Sequence, residues 1–444
     1  MRDLLYVGTV IFLVPVILYR PWIGILAWTL LGLLNPQAMT YQFQNFPFAV
    51  VIGSATLLGL LITQGRRGIP VTTQTALLAS LVLWFTITTT TAWVSSIAWE
   101  QWSKVMKIYL MTFVTVILIY GKYRTRALLL TIVAGLTLYG LKGAFFTVAT
   151  GGIYRVEGPG GYLTGNTYFG CALVMVLPLI DAVARDQAKL WMRNALWVAF
   201  WLVVFATVFT YSRGALLGLG AVLFLMFWRV KRKALAMLLI VPALIIGTVS
   251  LPEKLVDRAE TIRTYDADSS AMGRVQAWGV AWNLALTHPL GAGFEFDKGD
   301  NNTWLSYAFF SDPIVFNHTL AAHSIYFQIL GEHGFVGLIL YLSLMMSTVL
   351  ALGRSRREAE VREETRWMVN YARALQVAIG GYAVAGAFLS LAYFDLYYVF
   401  VAAAVIMQRD CRSVLSAGVD RSISRWHERR PSTYVQTASA RKVN

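Results

Sequence analysis

The chain has 444 residues, 57% of them hydrophobic and only 14% charged, with a mean hydropathy of +0.58. That balance excludes an ordinary soluble domain and a disordered chain, and it defines an integral membrane protein. The formal net charge of +15 comes without any nucleic-acid motif, so it reads as an orientation signal rather than as a surface for nucleic acid.

In chain order, apolar runs cover Leu4 to Leu34, Phe46 to Thr63, Ala76 to Val94, Val105 to Tyr120, Ala127 to Thr150 and Tyr168 to Ala184. They continue with Ala195 to Thr210, Ala215 to Trp228, Leu235 to Leu251, Phe335 to Leu352, Val377 to Ala392 and Val399 to Met407. Several approach the roughly 20 residues that an α-helix needs to cross the hydrocarbon core. The pattern predicts an all-α polytopic membrane protein of about 12 transmembrane helices and argues against a β-barrel. In the first run, Pro15 and the Tyr19-Arg20-Pro21 punctuation allow either two short helices or one kinked helix. That run is too long for a cleaved signal peptide, and no small-residue cleavage site follows it.

The loops at Gln64 to Ile69, Gly121 to Arg126, Arg185 to Arg193, Arg229 to Lys233 and Arg354 to Arg373, with the tail after Met407, hold roughly two thirds of all Lys and Arg. The positive-inside rule makes them cytoplasmic. The tail, Arg421 to Lys442, reads as disordered and attracted to lipid headgroups. Alternation then puts four segments on the outer face: the loop Gly151 to Gly165, the tip Tyr211 to Gly214, the long stretch Pro252 to His323 and the tip Tyr393 to Tyr398. The chain divides into N-terminal transmembrane helices with short outer loops (1–251), a large outer loop region with a helix after it (252–334), C-terminal transmembrane helices (335–408) and a basic tail (409–444).

The long outer segment carries turn signals around one helical stretch, Ser270 to Leu286, on which Arg274, Trp278 and Trp282 share a face. Such a face suits a helix lying on the membrane surface or over a ligand, or else one packed into the loop's own core. Cys171 and Cys411 fall on opposite sides of the membrane, which speaks against a disulfide, and no metal-type Cys/His spacing is present. Asp266-Ala-Asp268 is a DxD pattern, and Asp297 with Asp300 resembles a loose cation loop; an exposed charged turn accounts for both.

An ordered set of motifs follows: Tyr154-Arg155-Val156, Leu163-Thr-Gly-Asn-Thr167, Thr210-Tyr-Ser-Arg-Gly-Ala215, Gly273-Arg274 with Trp278, His288-Pro-Leu-Gly-Ala-Gly293, His323-Ser-Ile-Tyr326 and Leu330-Gly-Glu-His-Gly334. In order and spacing, over roughly the central half of the chain, this set resembles the O-antigen ligase and polymerase (Wzy-like) superfamily, and most closely the O-antigen ligases of the WaaL type. The resemblance implies a GT-C-like glycosyltransferase of the bacterial inner membrane. Such an enzyme moves a preassembled polysaccharide from undecaprenyl diphosphate to lipid A-core at the periplasmic face, with inversion and without a metal or other cofactor. The outer loops are then periplasmic, and 252–334 holds the periplasmic loop region and the catalytic helix.

The chemistry asks for two things of these residues. Cleaving a sugar to phosphate bond loads negative charge onto a lipid-linked diphosphate, and arginine meets that charge with forked, charge-assisted hydrogen bonds. Arg213, in the tight Ser-Arg-Gly turn with Gly214 allowing close backbone approach, is the first candidate; the alternative is a snorkelling anchor. Arg155, in a glycine-rich loop, and Arg274, opening the helix that carries Trp278, are the next two. Arg155 has a surface pair with Glu157 as its alternative, and Lys142 adds to the positive mouth. The second demand is a general base for the acceptor hydroxyl. His323 precedes a helical run that disfavours its protonated form, and it sits at the position of the family's catalytic histidine. His333 lies further along that helix, where Glu332 orients His323 only if the helix breaks at Gly331. Structural roles suit His288 and His318.

Two other readings compete. A polymerase or a protein O-glycosylation ligase uses the same donor and differs only in what attacks it. A transporter of lipid-linked sugar belongs to another class; it calls for an internal repeat and midplane polar residues, and no repeat is present. The Thr86 to Thr91 run offers a polar path only if its hydroxyls are not satisfied within their own helix.

Overall fold

The computed structural model describes residues 2–43, 46–161, 163–228, 269–309 and 318–428. Helix dominates throughout: α1 (Arg2–Tyr19), α2 (Pro21–Leu34), α3 (Phe48–Ile62), α4 (Thr73–Thr90), α5 (Ser95–Leu118), α6 (Gly121–Ala149) and α7 (Gly165–Arg185) form the first half. Then come α8 (Leu190–Val208), α9 (Arg213–Phe227), α10 (Ser269–Thr287), the short α11 (Asn301–Leu305), α12 (Ile325–Glu360), α13 (Met368–Gly386) and α14 (Asp395–Glu428). Among the described residues there is no strand, only an isolated bridge between Gly160 and Leu163. The apolar run 235–251, the basic loop 229–233, Asp266, Asp268 and the tail beyond 428 lie outside the described residues.

The first apolar run is two helices. Arg20 leaves the helical region at φ −131 and ψ 76, and Pro21 takes the first position of α2, where its missing N–H has no helical acceptor to lose. Pro15 stays within α1. Asp3, at the start of α1, accepts the Tyr41 and Gln42 N–H groups, each at 3.0 Å, which ties the turn after α2 back to the first helix.

Among the described residues, four helices are long and apolar enough to cross a membrane, α6, α7, α8 and α12, and four shorter ones are apolar: 6–19 within α1, together with α2, α3 and α9. Burial separates their roles. The apolar window of α7 is 83% buried, so this helix is the hub against which α8, α9 and α13 pack, whereas that of α8 is only 22% buried. Trp191, Val198 and Trp201 of α8, with Leu138 and Phe145 of α6, are exposed apolar side chains that suit hydrocarbon and not water.

Helix ends sort into two sets by their hydrogen bonds. At one end Arg124 donates to Leu118 O (2.8 Å), Arg409 to Val116 O (2.6 Å) and Ile119 O (2.7 Å), and the Asp410 carboxylate accepts from Gly121 N (2.7 Å). Arg126 pairs there with Asp186, which also accepts from the Tyr371 hydroxyl at 2.9 Å. The described basic loops thus gather on one side of the bundle. At the other end Val156 N donates to Phe209 O (2.9 Å), Asn35 to Pro159 O (3.2 Å) and Trp93 N to Ala292 O (2.9 Å). The threonines of α4 bond their own helix, as Thr86 to Val82 O (2.7 Å) and Thr89 to Phe85 O (2.6 Å) illustrate, so their hydroxyls form no polar path.

Candidate active site

Two glycine motifs build the floor of this second end. Gly334 breaks α12 with φ 66 and ψ −171, which frees the preceding carbonyls from helical pairing. Ala292 N takes Gly331 O and Gly293 N takes Glu332 O, both at 2.9 Å, so the turn after α10 zips onto the broken helix. A Cβ on Gly291 would lie 2.6 Å from Glu332 O, and one on Gly334 would lie 2.0 Å from Pro289 O. The break falls at Gly334 and not at Gly331, and Glu332 therefore points away from the orienting role that a break at Gly331 would give it. Its carboxylate accepts from Glu295 N (3.1 Å) and from the Tyr393 hydroxyl.

His333 is fully buried beside it, stacked on Phe85 at 4.0 Å, with Thr88 on Nδ1 (2.6 Å) and Tyr393 on Nε2 (2.8 Å). It is a packing histidine. His288 bonds Thr287 at 3.0 Å in an exposed turn, and His318 is exposed.

His323 differs from all of these. It stands directly before the Ser324 N-cap of α12, with its side chain open at the mouth and its backbone at φ 42, a left-handed conformation that side-chain-bearing residues adopt at a cost. Its N–H donates to Ser390 Oγ at 2.9 Å. Protein packed around the ring, and then the charge of Arg274, hold the imidazole below its ordinary range, while Asp297 pulls the other way. The neutral form that a general base needs is thereby favoured. Ser390 is a residue that the sequence did not single out. Ser390→Ala is expected to lower turnover about fivefold, the worth of one hydrogen bond near 1 kcal/mol, with donor binding unchanged and Ser390→Thr restoring activity. Steady-state kinetics with separate donor titration checks this.

The arginines arrive from different elements. Arg213 is the first residue of α9, half-buried, behind a Ser212 cap that accepts from Ala215 N at 3.3 Å. Gly214 does not open onto a ligand: a Cβ there would meet Phe388 Cβ at 3.2 Å and Ala385 O at 3.3 Å, so this glycine serves the packing of α9 on α13. Phe388 lies 6.4 Å from the Trp278 ring, and Ser390, two residues on, holds His323. The segment 385–390 therefore carries the Arg213 turn on one side and the His323 turn on the other. Arg274, half-buried on α10, is close enough for its charge to act on His323.

Arg155 sits in the loop after α6, which is latched to the Arg213 turn through Tyr211, whose hydroxyl donates to Gly152 O. Its guanidinium pairs with Glu157 at 2.7 Å and is 59% exposed. Lys142 is exposed on α6, 5.6 Å from the Tyr139 ring. The Trp face of α10 turns onto α12: Trp278 stacks on Phe327 at 5.1 Å and donates to Ala322 O at 2.7 Å, and Trp282 meets Phe335 edge-on at 5.4 Å. Trp278 thus braces the residue before His323. Asp300 caps α11 through Thr303 N (2.9 Å), and Asp297 lies 3.8 Å from Lys298 Nζ. Among the described residues no group of His, Cys, Asp or Glu has the arrangement of a metal site.

A cavity of about 290 Å³ opens beside these residues, lined among others by Tyr168, Glu295, Asp297, Ala322, Ser390 and Tyr393. Glu295, Ser390 and Tyr393 carried no sequence signal of their own, because each reaches the site through a partner distant in the chain.

Fold and site together define a membrane protein that is helical throughout its described residues, with His323, Arg213 and Arg274 at the end opposite the described basic loops. Residues 198–342 match the family model described as O-antigen ligase. This stretch contains Arg213, Arg274 and His323. Residues 1–187, with Arg155 and Lys142, match a family of unknown function. A search of curated proteins found no match.

Proposed function

We propose that the protein is an O-antigen ligase that transfers a preassembled polysaccharide from undecaprenyl diphosphate to lipid A-core at the periplasmic face of a bacterial inner membrane. His323 takes the proton of the acceptor hydroxyl as its oxygen bonds the anomeric carbon. The bond from that carbon to the phosphate oxygen breaks, its electron pair leaves with the diphosphate, and the configuration inverts. Arg213 and Arg274, with Arg155 at the loop, neutralise the departing charge, and this scheme routes no step through a metal.

One observation carries this reading: the segment 385–390 joins the Arg213 turn to the His323 turn, with Arg274 acting on the same imidazole. The collection of the described basic loops at the opposite end supports a site that faces away from the cytoplasm. The test is reconstituted transfer, offering lipid-linked polysaccharide as donor and lipid A-core as acceptor. Ligation that proceeds normally after His323→Ala refutes the assignment. Arg213→Ala is expected to weaken donor binding by roughly 10- to 100-fold, since a hydrogen bond to a charged group contributes about 1.5–3 kcal/mol. Arg213→Lys restores only part of this, because an ammonium cannot fork onto two phosphate oxygens; equilibrium binding of the donor measures both.

A further inference from the structure

The cavity beside His323 has a chemistry opposite to that of the arginines. Its volume, about 290 Å³, is close to the lower end of the range that ligand pockets occupy, roughly 300–1,000 Å³. Its wall is assembled from separate elements: Gln101 from α5, Tyr168 from α7, the loop residues Glu295, Asp297 and Lys298, and Ser390 after α13. A diphosphate is disfavoured by such a lining, because three carboxyl groups, Glu295, Asp297 and Glu332, line it and one ammonium, Lys298, answers them. A sugar ring suits it. Carboxylates accept from hydroxyls, an amide and a hydroxyl donate and accept, and a tyrosine ring supplies a flat apolar face.

The position of the cavity adds a second constraint. Its wall includes Ala322, the residue before His323, and Ser390, whose hydroxyl holds the His323 N–H at 2.9 Å. The imidazole lies within reach of two opposite charges, Arg274 from the cationic side and Asp297 from the cavity side. A base in that place has the leaving group to one side and a polyol pocket to the other.

Resting on the function proposed above, we infer that this cavity seats the terminal sugar of the acceptor, the ring that presents the attacking hydroxyl, while the donor diphosphate stays with the arginines. Discrimination between the two substrates then follows from charge: a neutral or amine-bearing sugar is admitted and a diphosphate is turned away.

The experiment titrates the full-length protein, purified in detergent, with two probes: lipid A-core freed of its acyl chains, and undecaprenyl-diphosphate-linked sugar. Gln101→Ala and Glu295→Gln are each expected to lower affinity for the deacylated core about tenfold and to leave donor affinity unchanged, which also reports an intact fold. Unchanged core affinity in both variants overturns the inference. So does a loss confined to the donor, which would assign the cavity to the other substrate. Wild-type protein that binds the core through these residues and yet transfers nothing to it defeats the ligase reading alone and leaves the sugar site standing.

Discussion

Replacing His323 by Ala is expected to lower the transfer rate by roughly 10²- to 10⁴-fold, the contribution that a positioned general base makes, with donor binding intact. The side chain is open at the mouth and holds no other element in place. Only the backbone N–H is tied down, and alanine keeps it. The loss is therefore chemical. Alanine retains a Cβ, so the left-handed backbone strain of residue 323 is unchanged, and a fall in thermal stability alongside the lost activity would point instead to a structural histidine.

The pH profile adds a signature that lost packing cannot imitate. A base works in its neutral form, so activity falls on acidification as the imidazole takes a proton. Partial desolvation by the surrounding protein and the charge of Arg274 push that event below the ordinary histidine range, and Asp297 opposes them. Arg274→Gln removes a depressing charge, so the acid limb of the kcat profile at saturating donor should move to higher pH. Asp297→Asn removes a raising charge, and the limb should move lower. Shifts of opposite sign at two neighbours identify the group that titrates; a limb that ignores both variants belongs to some other residue.

Much of the scaffold is legible in sequence because hydropathy and charge are local. The all-helical class, the helix over Ser270 to Leu286 and the grouping of the described basic loops follow from residues read one stretch at a time, whereas Pro15 and the Tyr19-Arg20-Pro21 punctuation leave one kinked helix or two short ones open, and the structure divides them. Helix length is less legible. α5 begins well before its apolar run, in a polar stretch that carries the Glu100–Lys104 pair at 2.8 Å, and α12 runs from the mouth into a basic loop. The site is legible as a set of motifs but not as a set of roles. Trp278 looks like a ligand platform until α12 lies beneath it, and Gly214 looks like a phosphate turn until α13 is packed on it. Ser390 has no motif at all. Its importance comes from a hydrogen bond to a residue 67 positions away, and no periodicity encodes such a pairing.

The glycines of the two interlocked motifs carry the second large effect. Gly334→Ala is expected to destabilise the protein by roughly 2–6 kcal/mol, from about 1–3 for a backbone region open essentially to glycine and about 1–3 for forcing an atom into filled space. No flexible side chain can move aside, because the added Cβ would lie 2.0 Å from the Pro289 carbonyl oxygen and 2.9 Å from its carbon. Relief requires separating the turn from α12, and that separation gives up the bonds from Ala292 and Gly293 to the carbonyls of Gly331 and Glu332. Glu332 then loses its register with Glu295, and the loop that walls the sugar cavity moves with it. Gly220→Ala makes the matched control: it lies within α9 with nothing within 4 Å of its added Cβ, and helix propensity there favours alanine by about 1 kcal/mol. Thermal unfolding of both variants in detergent should show a large fall for the first and no fall for the second. Equal melting temperatures would mean that the turn and the broken helix tolerate separation, and that the floor of the active site is held by something other than this interlock.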